Sequence, residues 1–194
     1  MGDAGARGSS SGDAQALLDF GIRLGWVEQP GCSRSGRSSI RWLMASFRAQ
    51  FPEFESHVRA VFAEQSFMRG IGAEIGSVSP GQVEIVLPFR DDLLQHHGYV
   101  HGAVLAAIVD TACGCSALTL MSAGSTVLTV EYKINFMAPA AGERLVARGR
   151  VLRPGRKLTV CSGEAVAIVD GNEKPVAALM ATMVRVPPAG ESEQ

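Results

Sequence analysis

The sequence predicts an α+β fold in which an antiparallel sheet wraps around one long central helix. Three observations carry that expectation. Residues 103–121 form a nineteen-residue run, nearly all apolar, interrupted by one charged side chain, Asp110. The patterned segments follow in the order helix, two strands, long helix, four strands. The breaks between strands have hairpin chemistry, most clearly Asp170-Gly171-Asn172.

Each element has a local reason. The first twelve residues hold four Gly and three Ser, the composition of a flexible tail. Residues 14–27 carry Leu17, Leu18, Ile22 and Leu24 at spacings that suit a short amphipathic helix, and residues 29–36 break any regular element. Residues 1–43 are therefore expected to be an appendage, residues 44–187 a folded domain, and residues 188–194 a flexible tail. Within the domain, Phe54, Val58, Val61 and Phe62 recur at helical spacing over 52–66, with Pro52 in the first turn. Strands are predicted over 71–79 and 82–87, joined at Pro80-Gly81 and closed by Pro88. A polar loop over 90–101 leads to the long helix, which starts near Gly102 and stops at Ser122-Ala123-Gly124. Strands follow over 126–137, 144–152, 158–170 and 176–186.

Composition removes several classes of function. Of 194 residues, 46% are hydrophobic and 19% charged, which excludes a chain disordered throughout. Eighteen basic against nineteen acidic residues leave a net charge of −1, so no nucleic-acid partner is expected. The cysteines, Cys32, Cys113, Cys115 and Cys161, have neither zinc-ribbon spacing nor that of a disulfide framework. The N-terminus has no basic stretch followed by an apolar one, and a cytoplasmic protein is the expectation. The 103–121 run has nearly the length of a membrane span, but a carboxylate at its centre costs about 2.5–3.5 kcal/mol on insertion scales. Its small residues favour a buried helix instead, with no membrane partner.

The chemistry concentrates around that helix. His96, His97 and His101 do not form a metal site on this pattern, because Gly98 makes their segment a loop and a third ligand is wanting. Neither metal nor cofactor is expected. A helix N-terminus, by contrast, offers unpaired N–H groups and partial positive charge. Gly102 lets a carbonyl oxygen approach that backbone and is a candidate oxyanion donor. Asp110 is a lone carboxylate in an apolar helix, and burial there raises its pKa unless a partner compensates. By composition alone, a functional carboxylate and a structural one accepting hydrogen bonds are about equally consistent with it. Eight residues separate Gly102 from Asp110, roughly 12 Å along a helix axis, too far to flank one carbon atom. Two antiparallel copies of the helix would bring Gly102 of one near Asp110 of the other.

The run His97-Gly98-Tyr99-Val100-His101-Gly102-Ala103, Asp110 eight residues on from Gly102, and residues 129–139 resemble the hotdog-fold acyl-CoA thioesterases of the phenylacetate-degradation type. The resemblance covers about residues 50–187. It implies a dimer with a continuous sheet, or a dimer of dimers, acting on an acyl-CoA thioester. It also implies that Gly102 N–H polarises the thioester carbonyl and that Asp110 of the other subunit serves as general base or nucleophile. Thr129 would place the water, and His101 would lie near the thiol leaving group. Gln95 stands where the family has asparagine, and Ala103 where it usually has a second glycine. Tyr99, Arg153, Arg156 and Lys157 are the candidates for holding the substrate, the last three in a basic turn near the nucleotide end of coenzyme A. A hotdog hydratase would want a paired Asp and His, and no His follows His101. The rival outside enzymes is a non-catalytic acyl-CoA-binding regulator or interaction protein with residues 14–50 as its binding appendage.

If residues 1–43 are an appendage, a shortened chain beginning at Met44 is expected to melt cooperatively within a few degrees of the full chain. Loss of the cooperative transition in calorimetry would place those residues in the core.

Overall fold

The computed structural model describes residues 47–190. The expected appendage, with its helix over 14–27, lies outside the described residues, as does most of the expected C-terminal tail.

The domain opens with α1, Phe54–Glu64, whose Val58 and Phe62 are buried one turn apart. Here the structure corrects the sequence-based boundaries. The predicted helix over 52–66 stops at Glu64, the chain turns extended at Gln65, and an unpredicted second helix, α2, spans Ser66–Ile71, taking in the first residue of the strand predicted over 71–79. Gly72 ends α2 in the left-handed conformation (φ 75°), and the amide of Ala73 donates to Met68 O at 2.9 Å. Strand β1 therefore runs over Glu74–Ser79, with β2 at Gln82–Pro88.

After a 3-10 turn at Asp91–Leu93, helix α3 spans Gly102–Leu118, with twelve of its residues buried. It ends earlier than the Ser122-Ala123-Gly124 signal predicts. Beyond Leu118 the chain tightens into 3-10 bonding, with Leu120 N donating to Ala117 O and Met121 N to Leu118 O. Among the described residues, no helix is long and apolar enough to cross a membrane. Four strands complete the chain: β3 Thr126–Phe136, β4 Arg144–Arg153, β5 Leu158–Val169 and β6 Asn172–Val186. Asp170 and Gly171 both have positive φ, 50° and 72°, and Val169 faces Asn172 across them, the two-residue hairpin turn predicted there. β6 starts four residues earlier than predicted. Pro175, which cannot donate to a ladder, is accommodated at a bulge where Ala165 faces Ala177 and Val166 faces Pro175.

The six strands form one antiparallel sheet in the order β1-β2-β4-β5-β6-β3. One face curls around α3, and Ile85, Leu87, Ile108, Leu118, Leu145 and Met183 fill the space between. This is the α+β arrangement that the sequence predicts. The opposite face is polar at its centre, where Arg148 pairs with Glu84, Glu164 and Glu173. α3 seats directly on two glycines. A Cβ at Gly149 would fall 2.2 Å from Ala112 O, and one at Gly163 would fall 2.4 Å from Val109 Cγ1. Gly70 in α2 has nothing within 4 Å of that position.

Gly149→Ala is therefore expected to lower stability by about 1–3 kcal/mol or more, because helix backbone rather than a flexible side chain must move. Gly70→Ala is expected to stabilise by roughly 0.5–1 kcal/mol, through helix propensity. Thermal melts of the two variants check the contrast, and equal melting temperatures would contradict this seating.

Candidate active site

α3 is buried on most sides, but Ala103 is exposed and Gly102, Ala107, Asp110 and Thr111 are half-exposed. Their spacing puts them on one helical face. Asp110 lies in the middle of that stripe. Its Oδ1 accepts a hydrogen bond from Thr129 Oγ1 at 2.9 Å. Burial holds the Asp110 carboxyl above the usual carboxylate range, and the bond from Thr129 pulls it part of the way back.

Thr129 reaches Asp110 because β3 is irregular. Phe136, Ile134 and Tyr132 face Ala177, Leu179 and Ala181 and share the helix side of the sheet. Unbroken alternation would put Val130 next on that side. The register shifts between Thr129 and Glu131, so Thr129 instead faces the buried Met183 and turns toward α3.

The N-terminus of α3 is built differently. His101 N donates to Leu93 O and Val100 N to Ala140 O, each at 2.9 Å, which fixes the chain entering the helix. His101 is the N-cap: its Nδ1 accepts from Ala103 N–H at 3.0 Å. A neutral ring making that bond carries its proton on Nε2. Among the described residues nothing accepts from Gly102 N–H. The Phe136 ring lies over this glycine, and a Cβ there would come within 3.1 Å of Phe136 Cζ. Gln95 is turned into its own loop: its side-chain Oε1 accepts from His97 N, its backbone N donates to Tyr99 O at 2.8 Å, and its backbone O accepts from Gly98 N at 2.9 Å. The His96 and His97 rings lie tilted against each other at 45°, with centroids 3.9 Å apart. Among the described residues, no group of three or more His, Cys, Asp or Glu side chains could hold a metal ion.

From Asp110 an open cleft of about 390 Å³ extends between α1, α3 and β3. It follows α3 from Asp110 to Leu118, roughly 12 Å at 1.5 Å per residue. Val61, Leu118, Val127 and Leu128 give it apolar walls, and Gly114 leaves its floor without a side chain. These lining positions were not singled out from the sequence, although Gly114 and Leu118 follow Asp110 at helical spacing and carried that signal. Cys115 lines the same cleft, but burial pushes its thiol up to about 12, so it is no ready nucleophile.

One chain thus joins Asp110 with Thr129 and keeps Gln95, Tyr99, His101 and Gly102 at the N-terminal end of α3. Arg153, Arg156 and Lys157 lie at the β4–β5 turn, outside the lining of the cleft. That turn lies toward the other end of the helix: Val151 N donates to Gly81 O, and Gly81 N donates to Thr119 Oγ1.

An antiparallel sheet curled around one long helix is the frame of the hotdog fold. Comparison with known proteins agrees. The profile of the thioesterase superfamily matches residues 97–172. A thioesterase family protein from Silicibacter pomeroyi, solved by crystallography, is 41% identical, with a TM-score of 0.67 over 69% of this chain and 98% of that one. A Ralstonia eutropha thioesterase described as related to phenylacetic acid degradation is 26% identical, with a TM-score of 0.59 over 69% of this chain and 99% of its own. A Thermoplasma acidophilum protein named as an esterase is 29% identical over 117 residues, 59% of this chain and 84% of its own. The chain belongs to the thioesterase superfamily.

Thr129→Val removes the hydroxyl that favours the ionised form of Asp110, so the Asp110 carboxyl is expected to titrate at higher pH in that variant. Carbon-13 NMR of the labelled carboxyl measures this, and an unmoved titration would mean that the 2.9 Å bond does not set the acidity of Asp110.

Proposed function

We propose that this protein hydrolyses acyl-CoA thioesters to a carboxylate and free coenzyme A, at sites that two copies of the chain share. The observation that carries this is the split within α3. Gly102 presents an amide N–H that has no acceptor among the described residues, and a half-buried carboxylate with its hydroxyl partner stands eight residues on. Neither half suffices for the reaction. An antiparallel second copy, laid along the half-exposed stripe of α3, brings Gly102 of one subunit to Asp110 of the other.

In this arrangement the thioester oxygen accepts from Gly102 N–H, which stabilises the negative charge that develops as the carbonyl carbon becomes tetrahedral. Asp110 takes a proton from water, or attacks that carbon directly, and its raised pKa makes it a better base near neutral pH. Thr129 holds the carboxylate in place beside the water. The Nε2–H of His101, oriented by the cap bond, is the donor for the departing sulfur. Gln95 and Tyr99 shape the entry beside it, and Arg153, Arg156 and Lys157 are the cations for the phosphates of coenzyme A. The acyl group lies along the apolar cleft beside Gly114. The half-exposed Asp110 carboxylate at the mouth of the cleft favours hydrolysis over a regulator that only binds acyl-CoA. Residues 44–187 carry this activity on our reading, with residues 1–43 appended to it.

Asp110→Asn is the direct test. Removing a general base typically costs about 10²–10⁴-fold, so kcat is expected to fall by that order with KM little changed. Stability is expected to move the other way. A carboxyl whose pKa is raised by folding loses stability as pH climbs from its unfolded value through its folded one. Asn does not titrate, so the variant's advantage in Tm grows with pH across that window and vanishes below it. Mixing tests the sharing. Gly102→Pro removes the N–H at a first-turn position, and His101, at φ −61° and ψ 135°, already suits a following proline. Verified heterodimers of Asp110→Asn and Gly102→Pro subunits are expected to regain activity, since one site in each is intact. Inactive, folded heterodimers would sink the shared site, and full kcat in Asp110→Asn would sink the role of that residue.

A further inference from the structure

We propose that the seam of the continuous sheet, where β3 meets β3 of the second copy, has a register centred on Tyr132, fixed by a reciprocal pair of contacts between Glu131 and Lys133 of the partner subunit. The proposal rests on the shared-site reading above and on the continuous sheet that the family resemblance implies, and adds to them the register of the seam and the residues that choose it.

β3 is an edge strand. It pairs with β6 on one side, and no strand among the described residues lies on its other side. It is eleven residues long, contains no proline, and exposes Leu128, Val130, Tyr132 and Phe136. Natural proteins do not leave so long and apolar an edge open; they blunt it, cover it or pair it. The occupant is a second copy, because the site needs one and because the charges along this edge complement themselves.

The position of the twofold axis follows from two contacts within one chain. An axis that exchanges Gly102 with Asp110 crosses α3 at Ala106, midway between them. Gly102 lies against Phe136 and Asp110 against Thr129, so the midpoint on β3 falls between Tyr132 and Lys133. Sheet geometry narrows the choice. For one continuous sheet with both helices on the same side, residues facing each other across the seam must share a face, so the axis passes through a residue and not between two. Tyr132 and Lys133 are the two residues beside the midpoint.

Charge decides between them. Glu131 and Lys133 lie on the face away from α3, opposite Thr182 and Met180 of β6, and both are exposed. Centred on Lys133, the seam sets Lys133 directly against Lys133 of the partner subunit and Glu131 against the uncharged Asn135 of the partner subunit. Centred on Tyr132, it sets Glu131 against Lys133 of the partner subunit twice over and stacks the two tyrosines on the helix side. Directly opposed unlike charges favour a strand pair, and like charges oppose it. Each side chain has capacity left for the contact. Glu131 already accepts from Thr182 Oγ1 at 2.7 Å, and Lys133 donates to Asn135 Oδ1. A carboxylate has further lone pairs and an ammonium two further protons.

Cysteine cross-linking reads the register directly, in a Cys32→Ser background that leaves the buried Cys113, Cys115 and Cys161. Residues directly opposed in an antiparallel pair have Cα atoms about 4.5–5.5 Å apart, within disulfide reach, while diagonal neighbours stand about 7–8 Å apart, beyond it. Tyr132→Cys is expected to cross-link on mild oxidation, and Lys133→Cys is not. Charge reversal supplies the second measurement. Glu131→Lys alone makes both seam pairs Lys–Lys, and Lys133→Glu alone makes both Glu–Glu. Each is expected to weaken the dimer roughly tenfold or more in sedimentation, and mixing the two is expected to restore dimers and activity together, since the heterodimer regains two unlike pairs. Cross-linking of Lys133→Cys instead of Tyr132→Cys, or of neither when both variants dimerise as the wild type does, overturns the register and leaves the shared site standing. Charge variants that dimerise as tightly as wild type overturn the role of the pair. An active monomer overturns both this seam and the reading on which it rests.

Discussion

Two bare glycine backbones, at Gly149 and Gly163, let α3 lie on the sheet with no side chain between at those points, and the rest of the site depends on that seat. With side chains at 149 and 163 the helix would have to lift away from β4 and β5. The stripe Gly102–Ala103–Ala107–Asp110–Thr111 is what remains of its surface once the sheet has taken the other side. Close seating therefore settles which residues of an almost uniformly apolar helix meet solvent or a partner. It also brings β3 near enough for Thr129 and Phe136 to touch α3.

Asp110 shows the electrostatic consequence. A carboxylate in such a helix is costly to ionise, and the fold offsets only part of that cost, through one hydroxyl. A fully compensated carboxylate would be stable and weakly basic. An uncompensated one would be largely protonated and unable to act as a base. Between these limits lies a group suited to activating water, a use that makes its half-burial intelligible. The neighbouring thiol of Cys115 shows the other extreme: burial without a compensating partner leaves it inert.

Irregularities in the sheet matter as much as its regular ladders. The shift between Thr129 and Glu131 turns a hydroxyl toward α3 that plain alternation would have sent to the other face. The bulge beside Pro175 lets β6 extend past a residue that cannot donate to a ladder, so that its first residues still pair with the end of β5. One extra residue in a strand thus changes which side chain reaches the carboxylate, at the cost of a local break in pairing.

Apart from α2, the order of elements, the central helix, the Asp170-Gly171 hairpin and the chemical types of Gly102 and Asp110 were legible in the sequence, because periodicity, turn preference and helix-end chemistry act over a few residues. The separation of Gly102 from Asp110 was legible too, since helix rise is the same in every protein. Other features were decided by the tertiary structure. Gly72, not Ile71, governs where β1 begins, because a left-handed stop outweighs a local apolar pattern. The Thr129–Asp110 bond depends on a register shift against β6, more than fifty residues away in the chain. The cleft beside Gly114 exists because α1 stands across it. The placing of Arg153, Arg156 and Lys157 away from that cleft follows from the pairing of β4 with β2. Local sequence sets what each segment can be, but long-range pairing sets which faces meet, and the site is made of faces that meet.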